Sequence, residues 1–194
     1  MREGNIDMSN PIKQSKVLSA AVAIAFAVAL LPTGTKAQSG GAPTDPQIVG
    51  IVTAADHIDV DYAKLAMSKT KNKQIRDFAQ QMLTDHSAVS QSVLGIAAKL
   101  NVTPADSDTS NSLKAQAQQM TQKLQGLKGK EFEKAYIDNE VAYHQAVVNA
   151  TKTVLIPSAQ NAELKSALQG AVPLFEGHLQ HAQRVQSSIE GGGQ

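Results

Sequence analysis

Residues 75–100, IRDFAQQMLTDHSAVSQSVLGIAAKL, carry Ile75, Phe78, Met82, His86, Val89, Val93, Ile96 and Leu100 on one stripe. Steps of three and four residues trace one face of an α-helix, and no alternation of period two competes with them. This segment sets the fold class as all-α. It also puts a histidine where an apolar core residue belongs.

The flanking segments repeat the pattern. Upstream, Thr44-Asp45-Pro46 reads as an N-cap followed by a proline in the first turn. Ile48, Val52, Ala55, Ile58, Tyr62 and Leu65 then recur at helical spacing to about Thr70, and a short break near Lys71-Asn72 separates this helix from the next. Downstream, Asn101 to Thr109 holds Pro104 and polar turn formers, and Ser110 is the expected cap of a shorter polar helix ending near Leu127. A third long helix carries Phe132, Tyr136, Glu140, Tyr143, Val147, Ala150 and Val154, and Pro157 is expected to stop it. The fourth is expected from about Ala159 to Ile189, with Leu164, Leu168, Ala171, Phe175, His178, Ala182, Val185 and Ile189 inward and a kink at Pro173. Four long helices, two pairs of them joined by tight turns, predict antiparallel neighbours in a four-helix bundle with an extra short helix between the second and third long ones.

Residues 1–37 read differently. Lys13 and Lys16 precede an apolar run from Val17 to Leu31, broken by Pro32 and Gly34 and followed by Thr35-Lys36-Ala37. Charged, apolar and small-residue regions in that order predict a secretory signal cleaved after Ala37. The run is 15 residues long, short of the ~20 that span a bilayer. An uncleaved anchor, the alternative, would make this segment the only membrane contact. Residues 38–43 read as a flexible leader, 44–190 as one domain, and 191–194 as a disordered tail.

Composition narrows the functional classes. The 18 Lys+Arg and 17 Asp+Glu of the chain become 14 and 15 once residues 1–37 are removed, a net charge of −1 that predicts no nucleic-acid partner. With no cysteine in the sequence, there is no disulfide framework, thiolate metal site, cysteine nucleophile or acylated lipoprotein anchor. No Gly-rich phosphate loop, nucleophile elbow or His-Glu-x-x-His segment is present.

What remains is a set of histidines. His86 and His178 occupy core positions, and His144 shares a helix face with Glu140. In an antiparallel pair, residues equidistant from the turn lie at one level. A turn near residue 72 sets Asp59 opposite His86, and one near residue 161 sets His144 opposite His178. Three imidazoles and a carboxylate then converge in one layer, with Asp61, Asp85 and Glu140 nearby. Such a layer supplies ligands for a single zinc, copper, iron or manganese ion. Equally, it can be a buried polar network that specifies helix register, and a mobile-proton or small-ligand site stays open beside both. His57 and His181 are expected in solvent.

Four segments together resemble a known family: Asp59-Val-Asp-Tyr-Ala-Lys-Leu-Ala66, Phe78-Ala-Gln-Gln-Met-Leu-Thr-Asp-His86-Ser87, Phe132-Glu-Lys-Ala-Tyr136 with His144, and Pro173-Leu-Phe-Glu-Gly-His178-Leu179. In this order, over nearly all of residues 45–189, they are similar to the DUF4142 family of exported bacterial proteins. The resemblance implies a ferritin-like helical bundle in the periplasm, free or associated with the outer membrane, whose biochemical function is not established. Its motifs fall on His86, His144 and His178. Where the family has glutamates this chain has Asp59 and Asp61, each one methylene shorter in reach. Fold alone transfers no activity, and the paired Glu-x-x-His motifs of a di-iron carboxylate site are absent. The expectation is therefore a non-enzymatic envelope protein that binds a metal ion or protects against stress. The alternatives are a metal-dependent enzyme, with Glu140 or Asp85 carrying protons, and a scaffold for an envelope protein or small ligand.

Overall fold

The computed structural model describes residues 41–191, which are helical with no strand among them. The predicted signal at 1–37 lies outside the described residues, as do 38–40 of the leader and 192–194 of the tail. No helix among the described residues is long and apolar enough to cross a membrane.

Helix α1 spans Asp45–Lys69 and α2 spans Lys73–Lys99. The Thr44 amide donates to Gln47 Oε1 at 3.0 Å at the start of α1. Asn72 caps α2, its side-chain oxygen accepting from the Gln74 amide at 3.0 Å. Arg76 fastens the turn by donating to the Met67 and Thr70 carbonyls, two of the acceptors that a helix end leaves unused. Helix α3 spans Asp108–Gly126 and begins two residues before the expected cap. Ser107 and Ser110 exchange amide-to-hydroxyl hydrogen bonds of 2.9 and 3.1 Å, so Ser110 is the third residue of a reciprocal capping pair rather than the cap itself.

Helix α4, Gly129–Ala150, is followed by helical turns that end at Ser158, one residue past the expected stop at Pro157. It widens into a π turn, Thr151–Leu155, and continues as the short α5, Ile156–Ser158. Pro157 sits one residue before the run ends, where the donor it lacks and its ring keep the helix from continuing. The last helix, α6, spans Ala162–Gly191 and stays helical across Pro173. Asn161 Oδ1 accepts from the Glu163 and Leu164 amides at its start. Asp45 accepts from the Gln160 and Asn161 amides at 2.9 Å each, which ties the beginning of α1 to the beginning of α6.

α1 packs on α2, α4 on α6, α2 on α6, and α1 on α4, while α3 lies against α1. Covered from several sides, α1 buries more than a single stripe. Val49, Ile51, Ala54, Val60, Ala63 and Ala66 are buried, while the expected Ala55, Ile58 and Leu65 are only half-buried. Three apolar clusters result, the smallest of Tyr143, Val147, Val148 and Phe175. Of the larger two, one is centred on Ile75, Phe78, Met82, Phe132, Tyr136 and Ile137. The other gathers Ile48, Ile51, Val93, Leu155, Leu164 and Leu168. Between them all four long helices place polar side chains: Asp56 and Asp59 on α1, His86 on α2, Glu140 and His144 on α4, and His178 on α6.

Gly50 shows how closely the loop before α3 lies on α1. A Cβ at this position would stand 2.1 Å from the Ala105 carbonyl oxygen, next to the 2.9 Å bond from the Ala105 amide to the Pro46 carbonyl. Gly50→Ala must displace backbone, and it is expected to destabilise the protein by about 1–3 kcal/mol, the usual cost of overpacking. The denaturant midpoint measures this, and an unchanged midpoint would contradict the contact.

Candidate metal centre

His86, on the stripe of α2, uses both ring nitrogens. Nδ1 lies 2.8 Å from Asp56 Oδ1. Nε2 faces inward, 2.7 Å from Asp59 Oδ2 and 3.3 Å from His144 Nε2. His144 Nε2 is in turn 3.4 Å from the same Asp59 oxygen, and its Nδ1 donates to the Glu140 backbone carbonyl at 3.0 Å. His178 donates through Nε2 to Asp85 at 2.9 Å, which leaves Nδ1 buried and without a partner. Each imidazole therefore has one nitrogen anchored to an oxygen acceptor and the other free to act inside the layer. Anchoring of this kind fixes tautomer and ring orientation in metal-ligating histidines.

Inward atoms of His86, His144 and His178 lie within 4.8 Å of one another, and so do atoms of Asp59, Glu140 and His144. Two ligands ~2.1 Å from a common ion stand about 3.4 Å apart at the tetrahedral angle. The separations of 3.3 Å between His86 and His144 and 3.4 Å between His144 and Asp59 meet that requirement. The 2.7 Å contact of His86 Nε2 with Asp59 Oδ2 is shorter, yet it is not aligned as a hydrogen bond, and neither Asp59 oxygen has a hydrogen-bond partner. Phe175 stacks on His86 at 5.6 Å with an interplanar angle of 5°, and Phe78 meets the His144 ring edge-on at 6.4 Å.

Charge is the problem that this layer must solve. Asp56, Asp59 and Glu140 are buried carboxylates, and among the described residues the cationic groups paired with them are histidines. Burial works against an imidazolium at His86, but the Asp59 carboxylate 2.7 Å away and the hydrogen bond to Asp56 overcome it and raise its pKa to about 10. Burial likewise disfavours the Asp59 carboxylate, and the His86 charge more than restores it, holding Asp59 below the usual range. Glu140 is pushed well up by burial and then by the Asp59 carboxylate. Burial lowers His144 to about 4, and it also lowers His178.

These shifts set the pH response of the metal-free protein. His86 is raised on folding, so its stabilisation is complete below its ordinary value of about 6.5 and is lost as the pH climbs through about 10. His144 is lowered, so stability also falls as the pH drops from about 6.5 through about 4. Melting temperature against pH in a chelated sample should fall on both sides of neutrality. Loss of the alkaline limb in His86→Leu would assign that limb to this residue, and its survival would contradict the assignment.

Of the residues expected in the layer, Asp59, His86, Glu140, His144 and His178 meet there. Asp85 turns outward from His86, as adjacent helical positions do, and supports His178 from behind. Asp61 does not join: it is exposed and pairs with Lys64 at 3.3 Å. Asp56 takes the place expected of it, and its signal was the three-residue spacing from Asp59, which puts both carboxylates on one helix face. His57 is exposed as expected. His181 is not in open solvent: half-buried, it bonds Gln81 at 2.9 Å and meets the Phe78 ring at 5.2 Å.

Beyond the layer, Tyr136 Oη and both polar atoms of the Asn139 side chain are buried on α4 without partners. No signal in the sequence set these apart from ordinary core residues.

No curated protein matches the chain, and no solved structure does. Residues 30–185 match the family model DUF4142, described as a domain of unknown function. That span contains the whole of the layer and its supports, and the chain belongs to the DUF4142 family.

Proposed function

We propose that this protein is an exported, non-enzymatic envelope protein with a ferritin-like arrangement of its four long helices, and that it holds one transition-metal ion between them. His86, His144, His178 and Asp59 are the ligands, and Glu140 is a further carboxylate within reach. Asp56, Asp85 and the Glu140 carbonyl hold the three imidazoles in the required tautomers. The export reading rests on residues 1–37, and a role in stress protection would follow from sequestering the ion.

One observation carries the metal over the register-specifying network: Asp59 Oδ1, both Glu140 carboxylate oxygens and His178 Nδ1 are buried with no hydrogen-bond partner. A finished polar network satisfies its members, since each orphaned buried group costs about 1–3 kcal/mol. A divalent cation held by His144 with Asp59 and Glu140 answers the orphaned carboxylate oxygens and offsets the buried negative charge, and His144 also belongs to the group formed with His86 and His178. Nitrogen-rich ligands with one carboxylate suit zinc, copper, iron or manganese.

The test is elemental analysis of the purified protein, followed by cobalt(II) titration of the chelated form. One ion per chain is expected, with a visible spectrum of low-symmetry nitrogen and oxygen coordination. Absence of a co-purified metal together with no saturable cobalt binding would sink the proposal.

A further inference from the structure

The layer is closed to solvent, with Asp59, Glu140 and His144 fully buried, but a cavity of about 120 Å³ lies beside it under α3. Tyr62 of α1 and Tyr143 of α4 form its inner wall, and Leu113, Ala117 and Met120 of α3 roof it. Helix α3 is built to arch over this space. It is pinned at one end by buried Ser110 and Leu113 and at the other by buried Leu124, whose carbonyl accepts from Lys69 Nζ at 2.9 Å. Between those anchors its inward residues Gln116, Ala117 and Met120 are only half-buried.

The wall and the mouth differ in chemistry. The Tyr143 hydroxyl is committed to the Ala55 carbonyl at 2.8 Å, so this ring is held in place and presents apolar surface. Its neighbour Tyr62 meets it edge-on at 6.1 Å. At the mouth stands exposed Lys123, beside Gln119. Its ammonium makes no ion pair with the acidic side chains of the described residues, a state it shares with Lys71, Lys128 and Lys130, but it alone of these lines the cavity. An apolar pocket of ~150 Å³ accepts a benzene ring. One slightly smaller, open at a cationic rim, suits a ring whose charged end stays outside.

We propose that the cavity beneath α3 is a binding site for small organic carboxylates of about the size of benzoate. The ring lies between Tyr62, Tyr143, Ala117 and Met120, and the carboxylate pairs with Lys123. The Tyr143 ring stands 5.9 Å from the His144 ring, so the bound molecule is one aromatic layer away from the histidines. That adjacency deepens the metal reading, but occupancy of the cavity does not depend on it.

The probe is benzoate, titrated into the chelated protein while the methyl resonances of Leu113, Ala117 and Met120 are followed. Saturable shifts concentrated on these three are expected, abolished by Met120→Trp and by Ala117→Leu, each of which fills the space, in variants shown to melt cooperatively. Lys123→Gln should weaken benzoate by about two- to fivefold, the worth of an exposed ion pair, and leave toluene unaffected. Absence of saturable shifts, or shifts that survive both filling variants, would overturn the site. Equal binding of toluene and benzoate, indifferent to Lys123→Gln, would overturn the carboxylate assignment. The titration contains no metal, so its failure would leave the metal reading intact, and failure of cobalt binding would leave this site intact.

Discussion

Saturating the chelated protein with zinc or cobalt is expected to raise its melting temperature by about 8–16 °C. An ion that binds only the folded state at a thousand times its dissociation constant adds ~4 kcal/mol, and a domain of 150–250 residues gains ~2–4 °C per kcal/mol. The structural reason lies in the layer between the apolar clusters, where Asp56, Asp59 and Glu140 are buried with histidines as their cationic partners among the described residues. Folding without the ion raises His86 to about 10 and pushes Glu140 well above the usual carboxylate range through burial and the Asp59 charge. An ion displaces the His86 proton and takes up the orphaned oxygens, so the stabilisation should be accompanied by proton release near neutral pH. Calorimetric melting with metal, then with excess chelator, measures the effect. An unchanged melting temperature would leave the layer as a polar network.

The second large effect concerns the one carboxylate that touches both inward-facing imidazoles. Asp59→Asn keeps the shape of the side chain and removes its charge, and it is expected to cost more than ~100-fold in metal affinity. That exceeds the ~10–100-fold expected of Asp56→Asn, because Asp56 acts through His86 and outer partners have effects of that smaller size. The same substitution removes the chief support of the His86 imidazolium, so the alkaline limb of the stability profile should move toward neutral pH. Competition titration against a chelator of known affinity ranks the two variants. Equal losses, or a greater loss in Asp56→Asn, would remove Asp59 from the ligand set.

Much of the site was legible because helices are periodic and antiparallel pairs share levels. Counting from the turns places Asp59 with His86, and the two stand 2.7 Å apart. The same reasoning sets His144 beside His178, and their rings lie 5.4 Å apart. Counting failed where it had no information about how many neighbours cover a helix. α1 lies under α2, α3 and α4, so its buried surface is wider than one stripe. Asp56 was therefore overlooked in favour of Asp61, which points to solvent. His181 was misplaced for a related reason: α2 presents Phe78 and Gln81 to it across the interface, and no pattern within α6 reveals a neighbour's side chains.

By itself the sequence determined that the described chain is helical, where the turn at 70–72 falls, and that His86, His144, His178 and Asp59 share a level with Glu140 nearby. All of these follow from local periodicity and from the breaks near residues 72 and 161, signals that act over a few residues. Only the tertiary structure decided which nitrogen of each imidazole is anchored, that Asp56 and Asp85 do the anchoring, that α4 passes through a π turn before Pro157 takes effect, and that α3 roofs a cavity against Tyr62 and Tyr143. Those features depend on the rotation of each helix about its axis and on what packs against it. The balance of burial across four interfaces sets that rotation, and no single helix contains the information.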